Sequence, residues 1–493
     1  MIQQKTELAP KPDLLGRNSW WLFCLGVLIL KFALFALDPL PKFYGGDSKS
    51  YLWTAISGWI PEDRSYFYGY VIRWVALSTG SLTSLLVVQV LAGAAIAAMC
   101  AWLCLRVFEL PRWLSFVFGL LCCLDPIQLY WERAVMTETL SLFFYVLLLQ
   151  RSFLYIKKQR VADLISVQGI SVLLIGFRMS YLLLTWVVAV TLPLFAFAWL
   201  QNNSARKLLI PAVSDQRFVK KISRFCLHCF LSVGTMLLLH TAYKGANGFL
   251  SHREPNYLYA TGVDLLSFWA PAIRPNDAPD SRVAELIRKG DEFYIKNLNS
   301  RANQLHMKGF LIDRLHQIEP NSKRSDDLAH QVALNALRRN PLGIAALAWE
   351  TYAEFWGTGV REWAKLDLPT KAQFSDTEAT QLGLARRFHQ VVTPMDMTEA
   401  ITFSGWYYLA AWPYYYVILL SPFILGTFIA LQRSTRRYSA LLFLNMAILF
   451  ASTLFFSGQP QIRYLQPLSL LTILTFATGA KVFLDRYQYS RVT

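Results

Sequence analysis

The chain has 493 residues, of which 54% are hydrophobic, 15% are aromatic and only 16% are charged. This composition excludes an ordinary soluble protein and predicts an all-α polytopic membrane protein. The formal net charge of +16 does not by itself indicate a nucleic-acid partner, because the position of the charges along the chain decides their meaning.

Apolar runs predict about ten transmembrane helices, since roughly 20 mainly apolar residues cross the hydrocarbon of a bilayer. The first run, Trp20 to Leu37, lacks a small-residue cleavage site, which favours a retained helix over a signal peptide. The others lie near 82–105, 113–129, 134–154, 162–177, 180–200, 225–243, 405–431, 438–457 and 466–484.

The lysines and arginines of the connections orient these helices, because such residues concentrate on the cytoplasmic side. With the N-terminus inside, the cytoplasmic connections hold 21 of them and the short outer connections hold 7. The excess positive charge is therefore a topology signal, and we expect no nucleic-acid partner.

The spans divide the chain into three parts. We expect residues 1–243 to form an N-terminal transmembrane module with a first outer loop at 38–81. Residues 244–404 are expected to form a mostly helical extracytoplasmic segment, and residues 405–493 to hold the last transmembrane helices. The first outer loop is rich in tyrosine and tryptophan, which predicts short helices in the membrane interface.

The outer segment shows apolar residues at a spacing of three to four, which predicts helices. They run from Ser281 to Ile318 and from Ser325 to Gly357. Asn340-Pro341 interrupts the second helix, because proline does not continue a helix.

The first outer loop contains the stretch FYGGDSKSYL, in which Asp47 lies between Gly45-Gly46 and Ser48-Lys49-Ser50. Glycine lets the backbone approach a surface or ligand closely, so Asp47 can be held at the membrane face. A helix cap or an Asx turn explains a single acid here equally well.

The stretch LDPIQLYWERAVMTETLSLFF places acids at another outer connection. Glu132 and Arg133 are predicted to begin the fourth span, with Glu138 about a turn and a half deeper. An ionisable residue inside a span is costly and indicates function. A hydrogen-bonded structural acid near the helix end is an equal alternative for Glu138.

Two more arginines face the outer side. Arg178 lies between two closely spaced spans, where it can meet a phosphate. Arg463, followed by Tyr464, lies at the start of the last helix, where an interfacial anchor is an alternative to a site residue.

Together these pieces resemble the GT-C membrane glycosyltransferases, especially the branch with protein O-mannosyltransferases and the lipid A aminoarabinose transferase. The resemblance rests on the order of four loose motifs: GGDSKSY, ERAVMTETLSLF, RRNPLGIAALAWETYAEFW and IRYLQPLSLL. It implies a polyprenyl-phosphate-linked sugar donor used on the extracytoplasmic side, with Asp47 as catalytic base or acceptor-orienting group. Arg463 matches the arginine that precedes a tyrosine near the last span.

The chain departs from this pattern at Ser48, where protein O-mannosyltransferases have a second acid. The departure weighs against a protein acceptor and leaves lipid or glycan acceptors open. The carboxylates of the oligosaccharyltransferase metal site are also missing from the pattern, so we expect neither a metal nor another cofactor.

Displacing polyprenyl phosphate from an anomeric carbon needs a base for the acceptor hydroxyl and cations for the leaving phosphate. The candidate catalytic acids are Asp47, Glu138 and Glu132. The candidate residues for binding the donor and its phosphate are Lys49, Arg133, Arg178, Arg463 and Tyr464. Direct displacement with a single base predicts inversion at the anomeric carbon.

Two alternatives stay open. An O-antigen polymerase or ligase also uses polyprenyl-linked glycans, but it depends on outer-loop arginines or histidines. A transporter or flippase for a lipid-linked sugar predicts charges near the bilayer midplane and two related halves. The outer segment lacks an Asn-x-Ser/Thr sequon, which favours a bacterial source. With the orientation set by the lysines and arginines, we expect a bacterial inner-membrane protein with its site on the periplasmic face.

Overall fold

The computed structural model describes residues 14–197, 216–291, 301–368, 383, 387–388, 402–431 and 436–490. Within these residues the protein is helical and contains no β-strand. Eight of the described helices are long and apolar enough to cross a membrane, as a multi-pass membrane protein requires. The predicted basic connections at 198–215 and 432–435, and most of 369–401, lie outside the described residues.

In the described residues up to 251, the N-terminal part contains ten α-helices. Residues 38–81 contain two short α-helices, and a π-helix at Arg73–Leu77 follows the second of them. The helices are α1 (Leu14–Leu37), α2 (Gly45–Ser57), α3 (Phe67–Ile72), α4 (Leu82–Arg106), α5 (Arg112–Cys123), α6 (Pro126–Trp131), α7 (Glu138–Lys158), α8 (Val161–Phe177), α9 (Leu182–Phe197) and α10 (Gln216–Ser251).

The outer segment has a small hydrophobic core of its own, which includes Val263, Ile287 and Val332. The predicted break at Asn340-Pro341 is confirmed, because the Asn340 side chain accepts a hydrogen bond from the Gly343 amide at 2.9 Å. The helices are α11 (Thr261–Phe268), α12 (Ser281–Asp291), α13 (Arg301–His306), α14 (Leu311–Ile318), α15 (Ser322–Arg339), α16 (Pro341–Glu354) and α17 (Val360–Leu366).

Four α-helices are described in the C-terminal part, at 402–431 and 436–490, and a short 3₁₀-helix at Ile462–Leu465 precedes the last of them. They are α18 (Phe403–Ala410), α19 (Trp412–Leu431), α20 (Arg436–Phe455) and α21 (Gln466–Ser490).

Two predicted spans, 113–129 and 162–177, correspond to the shorter apolar helices α5 and α8. Helices α4 and α7 begin at the same end of the bundle, because the Gln89 amide donates to the carbonyls of Glu132 and Ala134 at 3.0 and 2.9 Å. Together, α5 and α6 therefore return the chain along α4. We call the end where α4 and α7 begin the upper end. The count of ten spans stays a prediction.

The fourth span begins later than the sequence predicts. Asp125 accepts hydrogen bonds from the amides of Ile127 and Gln128, and Pro126 takes the first position of the separate helix α6. Helix α7 therefore begins at Glu138, which lies in its first turn and not deeper inside it.

A buried ion pair joins α1 to the end of α6. Lys31 Nζ lies 2.6 Å from Oε1 of Glu132, and both side chains are fully buried. The guanidinium of Arg133 lies 3.4 Å from the other Glu132 oxygen and donates to the Asp38 carbonyl at 3.0 Å. A Cβ at Gly93 would lie 2.0 Å from Glu132 Oε1, so α4 needs a glycine here. These charges fix three helices to one another.

Lys31→Met should destabilise the protein strongly, because it leaves the buried Glu132 charge without its partner. The expected cost is about 3–5 kcal/mol, and adding Glu132→Gln should recover much of it. Thermal unfolding in detergent measures both effects. The control is Lys365→Met, which breaks an exposed pair with Glu362. A loss of stability as large in Lys365→Met as in Lys31→Met would contradict a special role of the buried pair.

Candidate functional site

Asp47 lies in the first turn of α2, and Ser48 fixes this turn in place. The Ser48 hydroxyl accepts from the Tyr44 amide at 2.8 Å and donates to the Val135 carbonyl at 3.0 Å. Gly58, at a φ of 80°, ends the helix in a left-handed conformation that glycine adopts without strain. The first turn is also where an acid is favoured by the helix dipole.

A single β-bridge holds the chain before α2 against the chain before α7. The Lys42 amide donates to the Arg133 carbonyl at 2.7 Å, and the Val135 amide donates to the Lys42 carbonyl at 2.8 Å. Asp47 is the acid in the first turn of α2, and Glu138 is the acid in the first turn of α7. The bridge therefore fixes the positions of these two acids relative to each other.

The carboxylate of Asp47 is held between two arginines. Its Oδ1 lies 2.5 Å from Nη1 of Arg64, and its Oδ2 lies 2.8 Å from Nη1 of Arg463. We call Asp47, Arg64 and Arg463 the arginine clasp. About a quarter of the Asp47 side chain is exposed (25%), so a ligand can reach it.

The arginine clasp determines the charge state of Asp47. Burial alone would raise its pKa, but the charges and hydrogen bonds of Arg463 and Arg64 outweigh burial and lower the pKa to about 2. Asp47 is therefore ionised at neutral pH, with both oxygens engaged.

Arg463 makes several contacts besides the one with Asp47. Its guanidinium donates to Gln461 Oε1 at 2.6 Å and to the Tyr464 hydroxyl at 3.1 Å. It lies 4.3 Å from the ring centroid of Tyr44 and 4.9 Å from that of Tyr464. These contacts place the cation at the upper end of α21.

A second acid–arginine pair lies beside the arginine clasp. Glu138 Oε1 is 3.7 Å from Nη1 of Arg178, whose side chain is nine-tenths buried. The Arg178 guanidinium also lies 5.2 Å from the Tyr464 ring, so this ring contacts Arg178 and Arg463. Nη1 of Arg178 makes no hydrogen bond within the described residues, which leaves a donor for a ligand.

The structure thus brings together five residues that the sequence singles out: Asp47, Glu138, Arg178, Arg463 and Tyr464. Lys49 lies two residues after Asp47 in α2 and is partly buried. Glu132 and Arg133 instead belong to the buried group with Lys31, where their side chains are 0% and 1% exposed.

Sequence reasoning missed two residues of the site, Arg64 and Asp367. The Asp367 carboxylate accepts from the Tyr408 hydroxyl at 2.6 Å and from the Arg463 amide at 3.2 Å. Burial raises its pKa to about 6, although Tyr408 and Arg463 act in the opposite direction. No local spacing could have found it, because Asp367 and Arg463 are 96 residues apart.

The loop that carries Arg64 contacts the outer segment. The Tyr259 amide donates to the Glu62 carbonyl at 2.8 Å, and Arg253 pairs with the Glu62 side chain. Asp264, in the first turn of α11, faces the same loop. Burial and the charges of Asp63 and Asp326 raise its pKa to about 7, against a smaller opposite effect of Arg64.

The raised pKa of Asp264 predicts a pH-dependent stability. Between the unfolded pKa of about 3.9 and the folded pKa of about 7, the Asp264 carboxyl keeps its proton in the folded state and loses it in the unfolded state. The stability that this group contributes is therefore fully present below about pH 3.9 and is lost as the pH rises to about 7. Asp264→Asn should therefore raise the Tm at pH 8 and change it little at pH 4. Thermal unfolding in detergent across this range is the test, and equal shifts at both pH values would contradict it.

Within the described residues, no group of three or more histidine, cysteine, aspartate or glutamate side chains is arranged to hold a metal ion. Metal independence stays a prediction. A scan of family models finds no match for the chain, and neither do searches of curated proteins and of solved structures. The residues of the site therefore carry the functional proposal.

Proposed function

We propose that the protein is a GT-C-type glycosyltransferase. It moves a sugar from a polyprenyl-phosphate-linked donor to a lipid, glycan or protein acceptor, with Asp47 as the base. The observation that supports this most is the arginine clasp beside the Glu138–Arg178 pair, because one partly exposed acid and several cations meet at one end of the helices.

The cations suit the donor phosphate. Guanidinium groups bind phosphate oxygens in a fork and stay charged at every relevant pH. Arg178 has a buried donor without a hydrogen bond, and Arg178 and Arg463 both contact the Tyr464 ring. In the reaction they would stabilise the charge that develops on the leaving phosphate.

The choice of Asp47 over Glu138 as base follows from exposure. Glu138 has a side chain that is 2% exposed and lies 3.7 Å from Arg178, so it is better suited to orient that arginine. Asp47 is the more exposed of the two acids. We therefore assign Glu138 a positioning role and Asp47 the transfer of the acceptor proton.

The location of the site is consistent with a lipid-linked donor. Asp47, Glu138, Arg178 and Arg463 all lie at or just beyond the upper ends of apolar helices. A polyprenyl phosphate keeps its chain in the hydrocarbon and its phosphate at the membrane–water interface. The ends of membrane-spanning helices also lie near this interface. The distribution of lysine and arginine supports an extracytoplasmic location for the upper end. We propose that this face is the periplasmic face of a bacterial inner membrane.

The test is glycosyl transfer by purified protein in detergent. It uses a panel of radiolabelled polyprenyl-phosphate sugars, with membrane lipid extract as the acceptor source. Wild type should consume one donor with inversion at the anomeric carbon, and Asp47→Asn should lose about 100-fold or more in rate while it remains folded. Glu285→Gln, which removes a surface carboxylate from α12, should behave as wild type.

Two results would contradict the proposal. Full activity of Asp47→Asn would exclude Asp47 as the base and move the search to the other carboxylates. Movement of the lipid-linked sugar across a bilayer, without transfer by wild type, would favour the transporter alternative.

A further inference from the structure

The arginine clasp presents a difficulty for Asp47 as a base. A carboxylate takes up a proton readily only when an oxygen lone pair is available and its charge is not already stabilised. Here Oδ1 is engaged by Arg64 and Oδ2 by Arg463, and the pKa of Asp47 is lowered to about 2. In the arginine clasp, Asp47 is therefore a weak base.

Both arginines have other partners that would hold them if Asp47 were released. The Nε of Arg64 lies 3.1 Å from each oxygen of Asp63. Arg463 keeps Gln461, the Tyr464 hydroxyl and the Tyr44 ring. Release of Asp47 thus requires no large movement of either cation.

A phosphate group is the ligand chemistry most suited to replace the carboxylate. The phosphodiester of a polyprenyl-phosphate-linked sugar carries one negative charge over two non-bridging oxygens, as a carboxylate does, and guanidinium groups bind it in a fork. Arg178, with a donor that makes no hydrogen bond, adds a third cation, which contacts the Tyr464 ring as Arg463 does. A carboxylate and a phosphate would compete for the same positive groups.

We propose that the arginine clasp holds Asp47 inactive until the phosphate of the lipid-linked donor takes its place on Arg64 and Arg463. This rests on the proposed function. The freed carboxylate then accepts the proton of the acceptor hydroxyl as the acceptor oxygen bonds to the anomeric carbon. The bond from that carbon to the phosphate oxygen breaks, and its electron pair leaves with the polyprenyl phosphate.

Competition predicts an unusual effect of substitution at Asp47. Because Asp47 and the phosphate exclude each other from the arginines, removing the charge of Asp47 should strengthen phosphate binding while it removes turnover. Ordinary loss of a binding residue has the opposite effect, and Arg463→Gln should show it. The sign of the change therefore identifies the role of Asp47.

The experiment measures binding of farnesyl phosphate and of inorganic phosphate to the purified full chain in detergent at pH 7.5. We expect Asp47→Asn and Asp47→Ala to bind farnesyl phosphate about tenfold more tightly than wild type. Glu285→Gln, the matched charge control, should bind as wild type does. Tighter binding of inorganic phosphate by the Asp47 variants would place the competition at the phosphate alone, whereas a gain confined to farnesyl phosphate would show that the lipid chain is also needed.

Equal or weaker binding of both probes by folded Asp47 variants overturns the inference. The proposed function can fail separately, because binding does not depend on transfer. Tighter binding by Asp47→Asn in a protein that transfers no sugar would support competition within the clasp and overturn the assignment as a glycosyltransferase.

Discussion

The ion pair between Asp47 and Arg463 brings the first loop of the chain against its last long helix. The two residues are 416 positions apart, yet their charged atoms lie 2.8 Å from each other. Such a contact exists only if the intervening helices pack correctly, because a partly buried charge without a partner is costly. The Glu138–Arg178 pair joins the same group through Tyr464, and Asp367 joins it through the Arg463 amide.

Local patterns in the sequence predicted most of the described helices. Apolar runs gave the long helices, and the acids and arginines at their ends gave five residues that meet in space. Arg64 and Asp367 could not be predicted, since their partners are set by packing between distant segments. Lys31 was missed because it lies within an apolar run, and the start of α7 was misplaced although the Asp125-Pro126 signal for a new helix was present.

The structure also distinguishes between interpretations that the sequence left open. The helix-cap interpretation of Asp47 is wrong, because Tyr44 precedes α2 without a side-chain cap and Asp47 contacts arginines instead. Glu132 is a structural acid that neutralises a lysine of α1. Glu138 combines both expectations, since it begins α7 and also faces the Arg178 cation.

We infer that the contact between Asp47 and Arg463 couples the first loop energetically to the start of the last helix. A double-mutant cycle with Asp47→Asn and Arg463→Gln, read out as the free energy of unfolding in detergent, tests it most directly. The account predicts that the two changes are not additive, with a coupling energy of about 0.5–3 kcal/mol. Additive effects would show that the two side chains do not interact, and would contradict the arginine clasp on which the proposed chemistry depends.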